Sequence, residues 1–104
     1  MTRVALLHYA APPVVGGVES VLGHHARLMA DAGHQVRVVA GRGEQTDARI
    51  PFIHLPLADS RHPRVLELKA ELDAGRVPPG FAELVDSLTA NLSEALDDVE
   101  VLFA

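Results

Sequence analysis

Pro12-Pro13-Val14-Val15-Gly16-Gly17-Val18-Glu19 is the segment of this 104-residue chain whose residue types and spacing best suit chemistry. It lies between the apolar run Val4-Ala5-Leu6-Leu7 and an amphipathic pattern that begins at Val18. A strand that opens through paired glycines into a helix start makes a cradle for anions. The first amides of a helix have no intrahelical acceptor, and the aligned peptide dipoles add about half a positive charge there. Gly16 and Gly17 have no Cβ, so main chain can come close to a ligand at both positions. Glu19, in the first turn, is either a ligand contact or a carboxylate that stabilises the helix start by about 0.3–1 kcal/mol. His8, at the end of the apolar run, is the histidine best placed to touch a ligand bound at this loop. Further along, Arg61 in Ser60-Arg61-His62 offers a guanidinium that either holds a phosphate or carboxylate or simply faces water.

Three familiar phosphate-loop patterns do not fit. A dinucleotide fingerprint needs G-x-G-x-x-G directly after the first strand, whereas this chain has Gly16-Gly17 and then Gly23 inside the helix. A Walker A loop needs a terminal Gly-Lys-Ser/Thr, which is missing. A phospho-acceptor pocket would place acidic residues where His8-Tyr9-Ala10-Ala11 stand. The remaining histidines carry little chemistry. His24 and His25 are adjacent on a helix, face different sides and cannot share one metal ion, so no metal site is expected. His25 falls on the apolar stripe and is expected in the core; His34 is expected to be structural.

The elements that must hold these residues follow from hydrophobic periodicity. Arg3 to Tyr9 reads as a buried strand. A helix begins at Val18, with Val18, Val21, Leu22, His25, Leu28, Met29 and Ala32 as its apolar stripe and Gly33 as its C-terminal cap. Gln35 to Ala40 is a second strand, parallel to the first because a helix joins them, and residues 41–47 form a polar loop. Ile50 to Leu57 is a third strand whose two prolines place it at a sheet edge. A helix from Pro63 to Asp73 points Val65, Leu68 and Leu72 inward; another runs from Phe81 to Leu96; Val99 to Ala104 is a fourth strand. The order is that of a doubly wound α/β fold: a Rossmann-like parallel sheet, strand order 3-2-1-4, with helices on both faces.

The run from Gly16-Gly17-Val18-Glu19 through Gly33-His34-Gln35-Val36-Arg37-Val38-Val39 resembles the N-terminal domain of group 1 glycosyltransferases, retaining enzymes of the GT-B architecture. The resemblance covers the whole chain in element order, and its specific motifs lie in residues 3–41. It implies that residues 1–104 are part of an N-terminal, acceptor-side domain, the first part of a GT-B fold. The implied activity is transfer of a sugar from a nucleoside diphosphate sugar to an acceptor hydroxyl. Gly16 and Gly17 then match the loop that approaches phosphates of the donor or acceptor, Glu19 a position often acidic in the family, and Arg61 the acceptor side. The family holds most of the nucleotide in a C-terminal domain with a Glu-x7-Glu pattern, which these residues do not contain. The chain alone is therefore expected to be inactive, with no catalytic residue identified and no cofactor expected.

Composition bounds the alternatives. A net charge of −5 leaves no overall footprint for nucleic acid or an anionic membrane. The absence of cysteine excludes disulfides, thiolate zinc sites and cysteine nucleophiles. No apolar run approaches the ~20 residues that span a bilayer. The default expectation is a cytoplasmic protein, peripheral to a membrane at most as a full-length enzyme. The last strand is apolar on both faces and presents an open edge. Either the chain is the leading piece of a longer protein, or residues Val99–Ala104 pair between subunits of a homodimer. The reading from a different class is a non-catalytic α/β binding or assembly module that dimerises through this strand.

Overall fold

The computed structural model describes residues 2–104 and is an α/β fold with a four-stranded, all-parallel sheet of order 3-2-1-4. The first strand, β1 (Arg3–Ala10), is central and sends Val4 and Leu6 to one face and Ala5 and Leu7 to the other. Both faces are covered, which is why its sequence is continuously apolar. Helix α1 (Gly17–Asp31) ends in a paired cap: the Gly33 N–H donates to the Ala30 carbonyl and the His34 N–H to the Met29 carbonyl. Gly33 takes φ 92°, the left-handed conformation this cap requires. His34 is structural, its Nδ1 accepting the Thr2 amide at 3.2 Å.

Strand β2 (Gln35–Arg42) runs two residues further than the periodicity predicts, because Gly41 and Arg42 continue the ladder; Arg42 lies beside Ala10. Strand β3 is shorter than predicted. It is confined to Phe52–His54, with Pro51 before it and a 3₁₀ turn, Pro56–Ala58, after it. The prolines that mark it as an edge strand also truncate it. Helices α2 (Pro63–Asp73) and α3 (Phe81–Ala95) then lead to β4 (Val101–Phe103), which pairs with β1 so that Phe103 sits beside Leu6. The fourth strand thus keeps only three of its six expected residues in the ladder.

Two apolar layers hold the sheet. On one face Leu6, Val36, Val38 and Ala40 pack with Leu22 and Ala26 of α1 and with Ile50. On the other, Val39, Leu55 and Ala95 pack with Leu7, Ile53, Leu92 and Leu96. In α2 only Leu68 is buried; Leu72, expected inside, is exposed.

The buried face of α1 also differs from the predicted stripe. Glu19, Leu22, Gly23 and Ala26 face inward, whereas Val18, Val21 and Leu28 are 55%, 52% and 52% exposed and His25 is exposed as well. The cause is close packing at Gly23, where a Cβ would stand 2.9 Å from the Pro12 ring. Small residues draw that side of the helix onto the sheet and turn the larger ones towards β4. There, no described element covers them. Among the described residues no helix is long and apolar enough to cross a membrane.

Candidate functional site

The C-terminal ends of parallel strands are where an open α/β sheet presents loops to ligands. Here the loop after β1 turns through Pro12 and Pro13 and is tied to the loop after β2. The Ala11 N–H donates to the Arg42 carbonyl at 2.9 Å, and the Glu44 N–H to the Pro12 carbonyl at 3.2 Å. Gly43 makes this contact possible: at φ 125° it faces the Ala11 carbonyl, where a Cβ would stand 2.8 Å from the oxygen.

This arrangement leads to the start of α1. Gly16 is its N-cap residue and supplies no side-chain hydrogen bond, so the helix opens without a side-chain cap. Gly17 has open space where a Cβ would be. Glu19, at the third helical position, is 8% exposed. Its carboxylate folds back over Gly16 and occupies the volume a Cβ there would need. His8, from the end of β1, brings its Nε2 to 4.0 Å from Glu19 Oε1. That separation is too long for a hydrogen bond, and Nε2 is buried with no hydrogen-bond partner among the described residues. The Tyr9 ring lies beside it, centroids 4.0 Å apart.

Four of the five residues singled out by sequence, His8, Gly16, Gly17 and Glu19, therefore meet at one place. The chemistry available is a carboxylate and an imidazole that face each other without bonding, next to open helix amides. Such a pair can accept or deliver a proton to a group lodged between them. The amides can take a negatively charged oxygen. Glu19 lies at the positive end of the helix, where a carboxylate stabilises the first turn, and it also faces His8.

Arg61 does not join this group. It lies on a separate hollow at the ends of β2 and β3, lined also by Gly41, Arg42, His54, Asp59 and His62. Sequence reasoning missed Arg42, His54 and Asp59. The sequence reads Arg42 as part of a polar loop, and only the two extra residues of β2 bring it to the C-terminal end of the sheet. Gly41 was the available signal, since a Cβ there would run into the Asp59 main chain. A glycine closing an apolar strand marks such a close approach. No family model, curated protein or solved structure matches this chain.

Proposed function

We propose that this chain is the N-terminal, acceptor-side part of a glycosyltransferase that moves a sugar from a nucleoside diphosphate sugar to an acceptor hydroxyl. The observation that carries the reading is the start of α1. Its uncapped Gly16-Gly17 opening stands at the C-terminal edge of a 3-2-1-4 sheet, with His8 and Glu19 at its side. Oriented amides at such a point favour an oxyanion that gains charge as the sugar leaves its diphosphate. The His8–Glu19 pair suits an exchange of the acceptor's hydroxyl proton. The motif run from Gly16 to Val39 supports the same reading by resemblance.

In this reading a second, C-terminal domain holds most of the nucleotide and closes the cleft, and the present residues alone do not turn over. The exposed apolar face of α1 and β4 favours further protein packing there. Two measurements test it. The coding sequence beyond Ala104 is expected to encode a second α/β half carrying a Glu-x7-Glu pattern, and a stop codon there would overturn the reading. Calorimetry of the 104-residue chain with UDP and with GDP is expected to show no saturable heat. Micromolar binding would instead identify a self-contained nucleotide module.

One observation favours the alternative of a non-catalytic assembly module that dimerises. Val101, Leu102 and Phe103 are all exposed, and the side of β4 away from β1 offers unpaired main-chain groups.

A further inference from the structure

The hollow at the ends of β2 and β3 has a volume of about 390 Å³ and is distinct from the His8–Glu19 group. Its wall carries two guanidiniums, Arg42 and Arg61, two imidazoles, His54 and His62, and a single carboxylate, Asp59. Even with both histidines neutral this is a net positive spot on a chain of net charge −5.

Asp59 does not satisfy these donors. Its Oδ1 accepts the Arg61 backbone N–H at 2.9 Å and lies 3.0 Å from Arg42 Nε. That second contact is misaligned, so Arg42 Nε is buried without a hydrogen-bond partner among the described residues. Asp59 thus pairs the charge of Arg42 without taking an aligned hydrogen bond from Nε, and a buried N–H left so is costly unless something accepts from it. The Arg61 guanidinium, for its part, is exposed and makes no hydrogen bond or ion pair among the described residues.

One imidazole is oriented as a donor towards the hollow. His62 Nδ1 accepts the Arg64 N–H at 3.1 Å, which leaves the ring proton on Nε2. His54 Nε2 is 2.8 Å from the Gly41 carbonyl and must donate to it, so in the neutral ring its Nδ1 is an acceptor and gains a proton to donate only when the ring is protonated. The wall is rigidly placed, because Gly41 packs directly on the Asp59 main chain.

We propose that this hollow binds the phosphate group of a phosphorylated small molecule, held by Arg42 and Arg61 with His62 in support. One guanidinium fork suffices for the two oxygens of a carboxylate. Two forks on separate segments suit the three peripheral oxygens and nearly double charge of a phosphate monoester. The volume exceeds that of phosphate alone and leaves room for the group that carries it. The inference does not depend on glycosyl transfer.

The test is a nuclear magnetic resonance titration of the isotope-labelled chain at constant ionic strength with inorganic phosphate, glycerol 3-phosphate and acetate. The ring signals of His54 and His62 and the Arg42 Nε–H are followed. Saturable shifts are expected with both phosphates, and binding of acetate at least about tenfold weaker. Arg42→Gln and Arg61→Gln are each expected to weaken phosphate binding about fivefold or more, whereas Arg49→Gln, which precedes β3 and pairs with Asp47 and Asp31, leaves it unchanged. Should Arg42→Gln fail to fold, the exposed Arg61→Gln carries the comparison alone. Shifts that grow linearly without saturation, acetate binding as tightly as phosphate, or an Arg61→Gln variant that binds like the parent would each overturn the proposal. Any UDP or GDP heat that disappears in Arg61→Gln is assigned to this hollow and not to a nucleotide module, and the coding sequence beyond Ala104 tests the glycosyltransferase reading independently of it.

Discussion

Gly17 and Gly41 separate two reasons for a glycine. Gly17 has nothing within 4 Å of a Cβ position, so the fold does not need a glycine there. Gly41 is pressed against the Asp59 main chain, which cannot swing aside as a side-chain tip can. Gly17→Ala is expected to leave stability within about 0.5 kcal/mol of the parent. Gly41→Ala is expected to cost about 1–3 kcal/mol through overpacking. Urea denaturation of the two variants checks this. If both are neutral, the close approach at Gly41 is not real. Under the glycosyltransferase reading, lost substrate affinity in a stable Gly17→Ala variant would then report ligand approach and nothing else. The meeting of the paired glycines, His8 and Glu19 was legible because all four lie within one short strand–loop–helix segment. Arg42 and Asp59 were not, because their meeting depends on where β2 ends and on a loop some seventeen residues later. At this scale too, the Arg49 side chain hydrogen-bonds the Asp47 carboxylate and holds its pKa down at about 2, against an ordinary 3.8. A depressed carboxyl stabilises the fold above its unfolded value, and that contribution disappears as pH falls through the folded one. Asp47→Asn is therefore expected to flatten the decline of stability between about pH 4 and about pH 2. Urea midpoints across that range measure it, and an unchanged slope would show the pair to be energetically idle.

Among the elements, order and type were readable, since each strand or helix carries its own period and its own stop signals. Boundaries failed where two signals competed. Pro51 and Pro56 cut the third strand to three residues even though the apolar run is longer. Which face of α1 is buried was a subtler failure. The apolar stripe is wider than the sheet surface available to it, and Gly23 against Pro12 decides which part goes inside. Val21 and Leu22 are neighbours in the same predicted stripe, yet Leu22 is 8% exposed and Val21 52%. Leu22→Ala is expected to destabilise by about 2–5 kcal/mol. Val21→Ala is expected to stay within about 0.5 kcal/mol. Equal losses in a thermal or urea melt would restore the predicted stripe and rule out the observed rotation of the helix.

Over the whole molecule, the radius of gyration is 15.0 Å, against about 13 Å for a compact domain of this length. The excess comes with apolar surface that no described residue covers. Val18, Val21 and Leu28 on α1 and Phe103 on β4 stay about half exposed. They flank open grooves shared with Leu6 and His25. The free edge of β4 adds unpaired main-chain donors and acceptors along the same border. Each exposed side chain alone is ordinary, but a contiguous apolar patch beside an open strand edge is a surface for association. The isolated chain is thus expected to self-associate, with β4 strands pairing antiparallel across a two-fold axis, the geometry in which identical edges complement each other. Sedimentation velocity from low to high micromolar concentration should show the mean mass rising towards that of a dimer. Phe103→Lys puts a charge on the strand at its edge, costs little in the monomer because the ring is already half exposed, and should shift the chain to monomer. A parent chain that sediments as a monomer throughout would remove the assembly reading.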